Sequence, residues 1–339
     1  MIGKNQPLVS ILVPIYRVEQ YIERCARSVF GQTYQNLEFV FVNDASDDNS
    51  IIILGRVMED YPNRLDAIKI IHHIKNKGLA AARNTAVAAS QGEFLFHVDS
   101  DDWLELNAVE LMVQKQLETG ADIVSAEAFD WNKGKKTNHL TGGWNLDKKN
   151  LLEGILSFRI STTVWRRLIR RSLYVDNSIT CDECASEGED FQVLPRLVYY
   201  AQKITGIEKY IYNHNQANNN SYTNIAKHNI EIQLQGLVSV KVVMDFFSDK
   251  EQYLKDAVVG LDSKTIHSRM VSNAFYGNKF GYDLFLHYLN KSDSSYWHLF
   301  HWDLLLVKYL ERNYYFLFAV QSARKFYLRI KDLVKIICL

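Results

Sequence analysis

What the 339-residue sequence has little of narrows its class first. Its four cysteines, Cys25, Cys181, Cys184 and Cys338, are too few and too scattered for a disulfide framework, which fits a reducing compartment. Cys181 and Cys184 form one CxxC pair, but a zinc site of that type needs a second ligand pair at comparable spacing, and the sequence has none. They read as ordinary thiols in an acidic loop. Neither sign of charge dominates: Lys plus Arg is 39 and Asp plus Glu is 39, so there is no globally basic field for nucleic acid. No run approaches the about 18 uninterrupted apolar residues of a membrane-spanning helix. The opening MIGKNQPLVSILVPIYR lacks the small-residue cleavage signal of a secretory peptide. Neither GxGxxG nor GxxxxGK[ST] follows any strand-like segment, which argues against a dinucleotide dehydrogenase and a P-loop NTPase.

What is present is a chain with 47% hydrophobic residues, enough to bury a core. Over the first 130 residues or so, two rhythms alternate. Short apolar runs at Leu8 to Val13, Leu37 to Val42, Ala67 to Ile71, Glu93 to Val98 and Asp122 to Ala126 read as buried strands. Between them, Val18, Tyr21, Ile22, Cys25 and Val29 recur at helical steps, Ala80 to Ala89 is alanine-rich, and Asn107 and Gly120 bracket a further helix. This alternation predicts βαβ units and a mostly parallel sheet. Residues 132 to 150 turn to Lys, Gly, Asn and Thr, a loop or hairpin insertion. The asparagine-rich stretch from Tyr212 to Thr223 has no apolar period and reads as a mobile surface loop. From Asn229 onward the pattern is mostly helical.

Ligands of such sheets bind at the carboxyl ends of the strands, where this chain carries NDASDDNS and DSDDW. Asp99, Asp101 and Asp102 place three carboxylates within four residues. Like charges this close repel unless a cation sits among them, and a hard divalent ion completed by phosphate oxygens fits that donor type. A turn or helix start is the plainer reading of the cluster taken alone.

Four ordered segments carry a resemblance: VSILVPIYRVEQYIERCARSVFGQTYQNLEFVFVNDASDDNS, NKGLAAARNTAVAASQGEFLFHVDSDDWLE, VWRRLIRRSL and SEGEDFQVLPRL. Together they resemble the inverting glycosyltransferases of family 2. That resemblance implies a GT-A domain, a Rossmann-like α/β fold with a mostly parallel sheet, over residues 1–225, followed by a C-terminal α-helical region over 226–339. It matches Pro14, Tyr16 and Asp44 to positions against the nucleotide base, and Lys77 and Arg83 to the basic lining of the nucleotide pocket. It matches Asp99 and Asp101 to the DxD acids near the ribose and the metal, with Ser100 between them on the donor. Asp190 within GED matches the catalytic base, and His214 a histidine near the metal or diphosphate. The implied cofactor is Mn²⁺ or Mg²⁺, the donor a nucleotide sugar such as a UDP-hexose, and the acceptor a glycan or glycolipid of surface polysaccharide or lipooligosaccharide. Two positions depart from the pattern: Arg17 replaces the usual asparagine and Ala45 the usual glycine.

Plainer readings stand beside these. Asp190 could cap a helix beginning near Phe191, Tyr16 could be core, His214 a simple loop histidine, and Asp47 and Asp48 turn and cap residues. Trp103, Trp144 and Trp165 could stack on an acceptor sugar, with core packing favoured for Trp165. Two rival functions remain, a sugar-nucleotide nucleotidyltransferase and a catalytically silent binding protein. The first normally has a glycine- and basic-rich first loop that PIYRVEQY lacks, and the second is expected to lose the DxD or GED acids, which are intact.

Across Lys308 to Leu339, seven basic residues face two acidic ones and interleave with aromatic and aliphatic side chains. A basic, aromatic amphipathic helix of this kind suits an anionic membrane surface. The expected location is the cytoplasm, peripheral at the cytoplasmic face of the membrane, with packing of that helix on its own domain or on a partner as the alternative.

Overall fold

The computed structural model describes residues 6–139, 146–218, 221–226 and 229–258. They fall into two compact units, Met1–Ile225 and Ala226–Leu339. In the first unit, β1 (Val9–Ile15) leads through α1 (Ile22–Phe30) to β2 (Leu37–Asn43), and α2 (Ser50–Glu59) leads to β3 (Ile68–His72). Then α3 (Leu79–Ala89) returns the chain to β4 (Phe94–His97) on the other side of β1. These strands are mutually parallel in the order β3-β2-β1-β4. Every residue of β1 and β2 is buried, the signature of strands covered on both faces. The reversal of strand order between β1 and β4 opens a crevice at their carboxyl ends.

Beyond β4 the sheet becomes mixed. The remaining strands are β5 (Trp103–Leu104), β6 (Ile123–Asn132), β7 (Lys135–His139), β8 (Arg167–Arg170) and β9 (Ile204–Asn215). β8 runs antiparallel between β4 and β6, β9 runs parallel to β6, β5 pairs antiparallel with β9, and β7 folds back on β6. Here α4 (Ala108–Thr119), α5 (Lys148–Leu156), α6 (Arg171–Val175) and α7 (Glu189–Tyr200) connect the strands, and α8 (Tyr222–Ala226) follows β9. The fold is thus α/β and of the GT-A type, as expected. The 132–150 insertion is in part the β6–β7 hairpin, turned by Lys133 and Gly134 at φ +48° and +80°. Asn107 does precede α4 but makes no side-chain cap bond, and Gly120 ends the helix in the left-handed region.

The core lies between α1 and the sheet. α1 buries Ile22, Cys25, Ala26, Val29 and Phe30, and the Phe30 ring meets Phe39 and Phe41 edge-on at 5.0 and 5.7 Å. Truncating such a ring leaves a cavity, so Phe30→Ala costs about 3–5 kcal/mol.

The expectation of a surface loop from Tyr212 is corrected. Tyr212, Asn213 and Asn215 are buried residues of β9, and Asn218 just beyond it is buried as well. The segment shows no apolar period because its buried partners are carboxylates rather than hydrocarbon, as the site makes plain.

The second unit contains α9 (Ile230–Phe247) and a helical stretch at 252–258, with Val243, Phe247, Leu254 and Val258 buried. Among the described residues no helix is long and apolar enough to cross a membrane. Trp144 and the basic segment Lys308 to Leu339 lie outside the described residues.

Candidate active site

β4 releases the chain into a tight turn in which the Asp102 amide donates to the Asp99 carbonyl at 3.0 Å. The three aspartates then separate in role. Asp102 points into the fold, where its carboxylate accepts from the Tyr212 hydroxyl at 2.8 Å and the Asn215 amide at 2.7 Å. Asp101 accepts from the Asn218 side chain at 2.8 Å, and Asp99 from Arg83 at 3.0 Å. The Asp99 amide donates to Tyr212, so one tyrosine braces both ends of the turn. Ser100 is buried between them. Burial, then the charge of Asp99, push the Asp101 carboxyl above its ordinary range. Burial, then Asp101, raise Asp102 strongly.

Arg83, on the buried side of α3, joins this turn to the GED segment. Its guanidinium lies 3.0 Å from Asp99, 3.4 Å from Glu189 and 3.5 Å from Asp190. The helix-cap reading of Asp190 does not describe its position: α7 begins at Glu189, its N-cap is Gly188 at φ +80°, and Asp190 is the second helical residue. Asp190 Oδ2 accepts from the Val164 amide at 3.2 Å, while its Oδ1, like Nε and one terminal nitrogen of Arg83, is buried with no hydrogen-bond partner. Orphaned polar atoms of this kind cost stability. Burial raises the Asp190 carboxyl; Arg83 opposes the rise and Asp99 adds to it. Burial and Asp190 bring Glu189 up to about 8. For Arg83, burial disfavours the charge, but Asp99, Asp190 and Glu189 outweigh it.

The ends of β1 and β2 form the other wall. Pro14 is buried within β1, and Tyr16 is 40% exposed just past it, so Tyr16 is not core. Asp44 is buried and accepts three of its own chain's donors: the Lys77 amide and His73 Nδ1 at Oδ1, and the Gly78 amide at Oδ2, at 2.8, 2.6 and 2.8 Å. It thereby pins the loop that leads into α3 and Arg83, and a carboxylate with about four acceptor sites has one left. The Lys77 side chain is exposed. Arg17 and Ala45, the two departures from the family pattern, both have left-handed backbones, φ +52° and +55°. Arg17 is held there by a bidentate pair with Asp47 at 2.7 Å and by its amide on Ser46 at 2.8 Å. Asp48 caps the segment before α2, accepting from the Ser50 amide at 3.1 Å.

His214 sits on β9 directly across from Asp130 on β6, and its Nδ1 hydrogen-bonds that carboxylate at 2.8 Å. Burial disfavours its charged form, but the bond to Asp130 and the charges of Asp102, Asp130 and Asp99 outweigh this and bring it up to about 9. Trp165 is core, stacked between Tyr212 and His214 at 4.6 and 5.2 Å. Trp103 is covered by the Arg24 guanidinium at 3.4 Å. Cys181 is buried and its thiol is pushed up to about 12, which fits the reading of an inert thiol.

Several residues of this site were not picked out from the sequence. Tyr212, Asn215 and Asn218 carry only the signal of polar residues ending an apolar run, and Glu189 was visible only as the middle letter of GED. Arg166, fully buried at φ +60° with two unpartnered nitrogens, has no sequence signal beyond its RR pair.

The donor set of Asp99 and Asp101 suits a hard divalent cation. Burial first and the charge of Asp99 second disfavour an ionised Asp101 with no cation beside it, and both carboxylates offer oxygen ligands of the kind Mg²⁺ and Mn²⁺ take. Asp102, already accepting two donors inside the fold, is a brace for that turn.

The sequence profile described as Glycosyl transferase family 2 matches residues 10–185, and the chain belongs to that family. It is similar to the uncharacterized glycosyltransferase EpsJ of Bacillus subtilis, 31% identical over 225 residues that cover 65% of this chain and 64% of EpsJ, under two thirds of that relative's length. Its fold is similar to Staphylococcus aureus TarS 1-349 in complex with UDP-GlcNAc, with TM-score 0.70, 18% identity and coverage of 94% and 91%. It is also similar to the mannosyltransferase PcManGT of Pyrobaculum calidifontis in complex with GDP-Man and Mn²⁺, with TM-score 0.52, 15% identity and coverage of 94% and 85%.

Proposed function

We propose that this chain transfers a sugar from a nucleoside diphosphate donor, a UDP-hexose or UDP-N-acetylhexosamine, to a hydroxyl of a glycan or glycolipid acceptor, inverting the anomeric carbon. The observation that carries the reading is the Arg83 bridge, 3.0 Å to Asp99 on one side and 3.5 Å to Asp190 on the other. It ties an acidic turn of cation-binding type to a buried carboxylate with a bare oxygen. Family membership and the UDP-GlcNAc and GDP-Man complexes of similar folds support the donor class.

In this reading Asp190 takes the proton of the acceptor hydroxyl. The acceptor oxygen forms its bond to the anomeric carbon from the face opposite the leaving group, and the bond to the diphosphate oxygen breaks with its electron pair. General-base assistance of this kind contributes about 10²- to 10⁴-fold. Asp99 and Asp101 would hold Mg²⁺ or Mn²⁺, with His214 as a further ligand, and the ion would supply Lewis-acid stabilisation of charge on the leaving diphosphate. Pro14, Tyr16 and Asp44 line the base pocket, Lys77 the basic wall of the nucleotide pocket, Ser100 sits beside the donor, and Arg83 holds the two acidic segments in register. Residues 1–225 are then the catalytic domain and 226–339 a helical region. The basic, aromatic composition of Lys308 to Leu339 supports attachment at the cytoplasmic face, where a lipid-linked surface-glycan acceptor is elongated.

The test is a panel of nucleotide sugars incubated with the protein and Mn²⁺, read as nucleoside diphosphate release. Release from one donor class, abolished by EDTA and restored by added metal, is expected. Full turnover in chelator, or pyrophosphate release from a nucleoside triphosphate and sugar phosphate, contradicts the reading and favours the nucleotidyltransferase.

A further inference from the structure

Asp130 receives two imidazoles. His214 Nδ1 lies 2.8 Å from one of its oxygens and His139 Nδ1 lies 2.8 Å from the other. The strands deliver them: Asp130 is on β6, His139 on the neighbouring β7 and His214 directly opposite on β9. One ligand atom from each residue lies within 4.8 Å of the other two. Both rings also rest on Trp165, centroids 5.7 and 5.2 Å away, so the indole fixes their orientation. All three side chains are half-buried, at 15, 27 and 33% exposure, open enough for an ion to reach.

We propose that Asp130, His139 and His214 bind one transition-metal ion of the Zn²⁺, Co²⁺ or Ni²⁺ class, at a site separate from the Asp99 and Asp101 carboxylates. Two imidazole nitrogens and one carboxylate oxygen are the donors such ions prefer, whereas Mg²⁺ takes oxygen. Three protein ligands leave a fourth position for water. Binding replaces the two N–H···O bonds with bonds from both Nδ1 atoms to the ion. Each ring's Nδ1 proton goes to its own Nε2 or to solvent. His214 then presents Nε2–H, so it serves either this ion or a donor-side cation, not both at once. Asp99 and Asp102 favour a cation beside His214, and the buried Arg166 near His139 opposes it. The site shares His214 with the donor-side cation of the proposed function but needs no nucleotide, so a nucleotide-free titration reads it apart from sugar transfer.

The experiment titrates metal-free, full-length protein with Co²⁺ and Zn²⁺ in the absence of nucleotide, by calorimetry and by the visible Co²⁺ spectrum. One equivalent with a low-symmetry, intense Co²⁺ band is expected. Affinity should fall about 100-fold in His139→Ala and in Asp130→Asn and stay within a few-fold in Asp101→Ala. In wild type, imidazole nitrogen NMR should show both Nδ1 resonances moving on Zn²⁺ addition, a readout independent of whether any variant folds. The proposal is overturned by the absence of stoichiometric binding, by binding indifferent to His139→Ala, or by binding lost in folded Asp101→Ala. The trio is then a hydrogen-bonded clasp between β6, β7 and β9.

Discussion

Arg83 stands 3.5 Å from Asp190 Oδ1 with no hydrogen bond between them. The positive charge therefore favours the ionised carboxylate while the oxygen keeps its lone pairs, and burial pulls the other way. A carboxylate balanced like this can hold its charge in a dry site and still accept a proton. A purely structural ion pair would close the gap and satisfy both partners.

Asp190→Asn separates base from scaffold. The amide oxygen can still accept from the Val164 amide, so the fold should persist, but the side chain cannot take a proton. Turnover should fall by about 10² or more, with binding of nucleoside diphosphate and Mn²⁺ retained by calorimetry. Near wild-type turnover would return Asp190 to a structural role.

The pH profile follows from the sign of its shift. A base works only when ionised, and Asp190 has its carboxyl raised above the ordinary 3.8, so kcat/KM should climb with pH along an acid limb displaced upward from 3.8. Asp190→Asn should flatten that limb. A wild-type limb at the ordinary carboxylate value would mean that another group, or none, is the base.

The parallel half of the fold was legible because its strands are buried on both faces and read as unbroken apolar runs, as in Val9–Ile15. In the mixed half only the start of β6, at Asp122 to Ala126, and the hairpin that follows it were legible. β5 is two residues long, β8 is the four residues Arg167–Arg170 with an arginine at each end, and neither shows a period. The end of β9 was misread for a different reason: Tyr212, Asn213 and Asn215 are buried by hydrogen bonds to the acidic turn and its neighbours, and hydropathy does not register that kind of burial. Motif order identified Arg83, Asp99, Asp101 and Asp190 as separate features. That one guanidinium reaches Asp99, Asp190 and the adjoining Glu189 is a long-range fact, as is the pairing of Asp130 with His139 and His214, which depends on strand register.

Glu189 makes a stability prediction. Its folded pKa is raised from 4.5 to about 8, so the folded state holds a proton that the unfolded chain has lost, and the group costs stability as pH rises from about 4.5 to about 8. Glu189→Gln keeps the shape and removes the titration. Its stability relative to wild type should increase across that window by on the order of 1 kcal/mol or more, measured by denaturant unfolding at pH 5 and pH 8. A difference independent of pH would show that Glu189 is ionised throughout.

Ala45 is strained where glycine is not. At φ +55° an L side chain costs about 1–2 kcal/mol, and glycine's extra unfolded-state entropy returns about 0.5–1 kcal/mol of that. Ala45→Gly should therefore stabilise the protein by roughly 0.5–1 kcal/mol. A destabilised variant would show that the Ala45 methyl group makes a compensating contact.

The central claim is one-step displacement on a nucleotide sugar with Asp190 as base, and the anomeric configuration of the product tests it most directly. With an α-linked UDP-sugar and Mn²⁺, NMR of the product formed at early times should show a β linkage. An α-linked product means the donor's configuration is retained, and this would contradict the account.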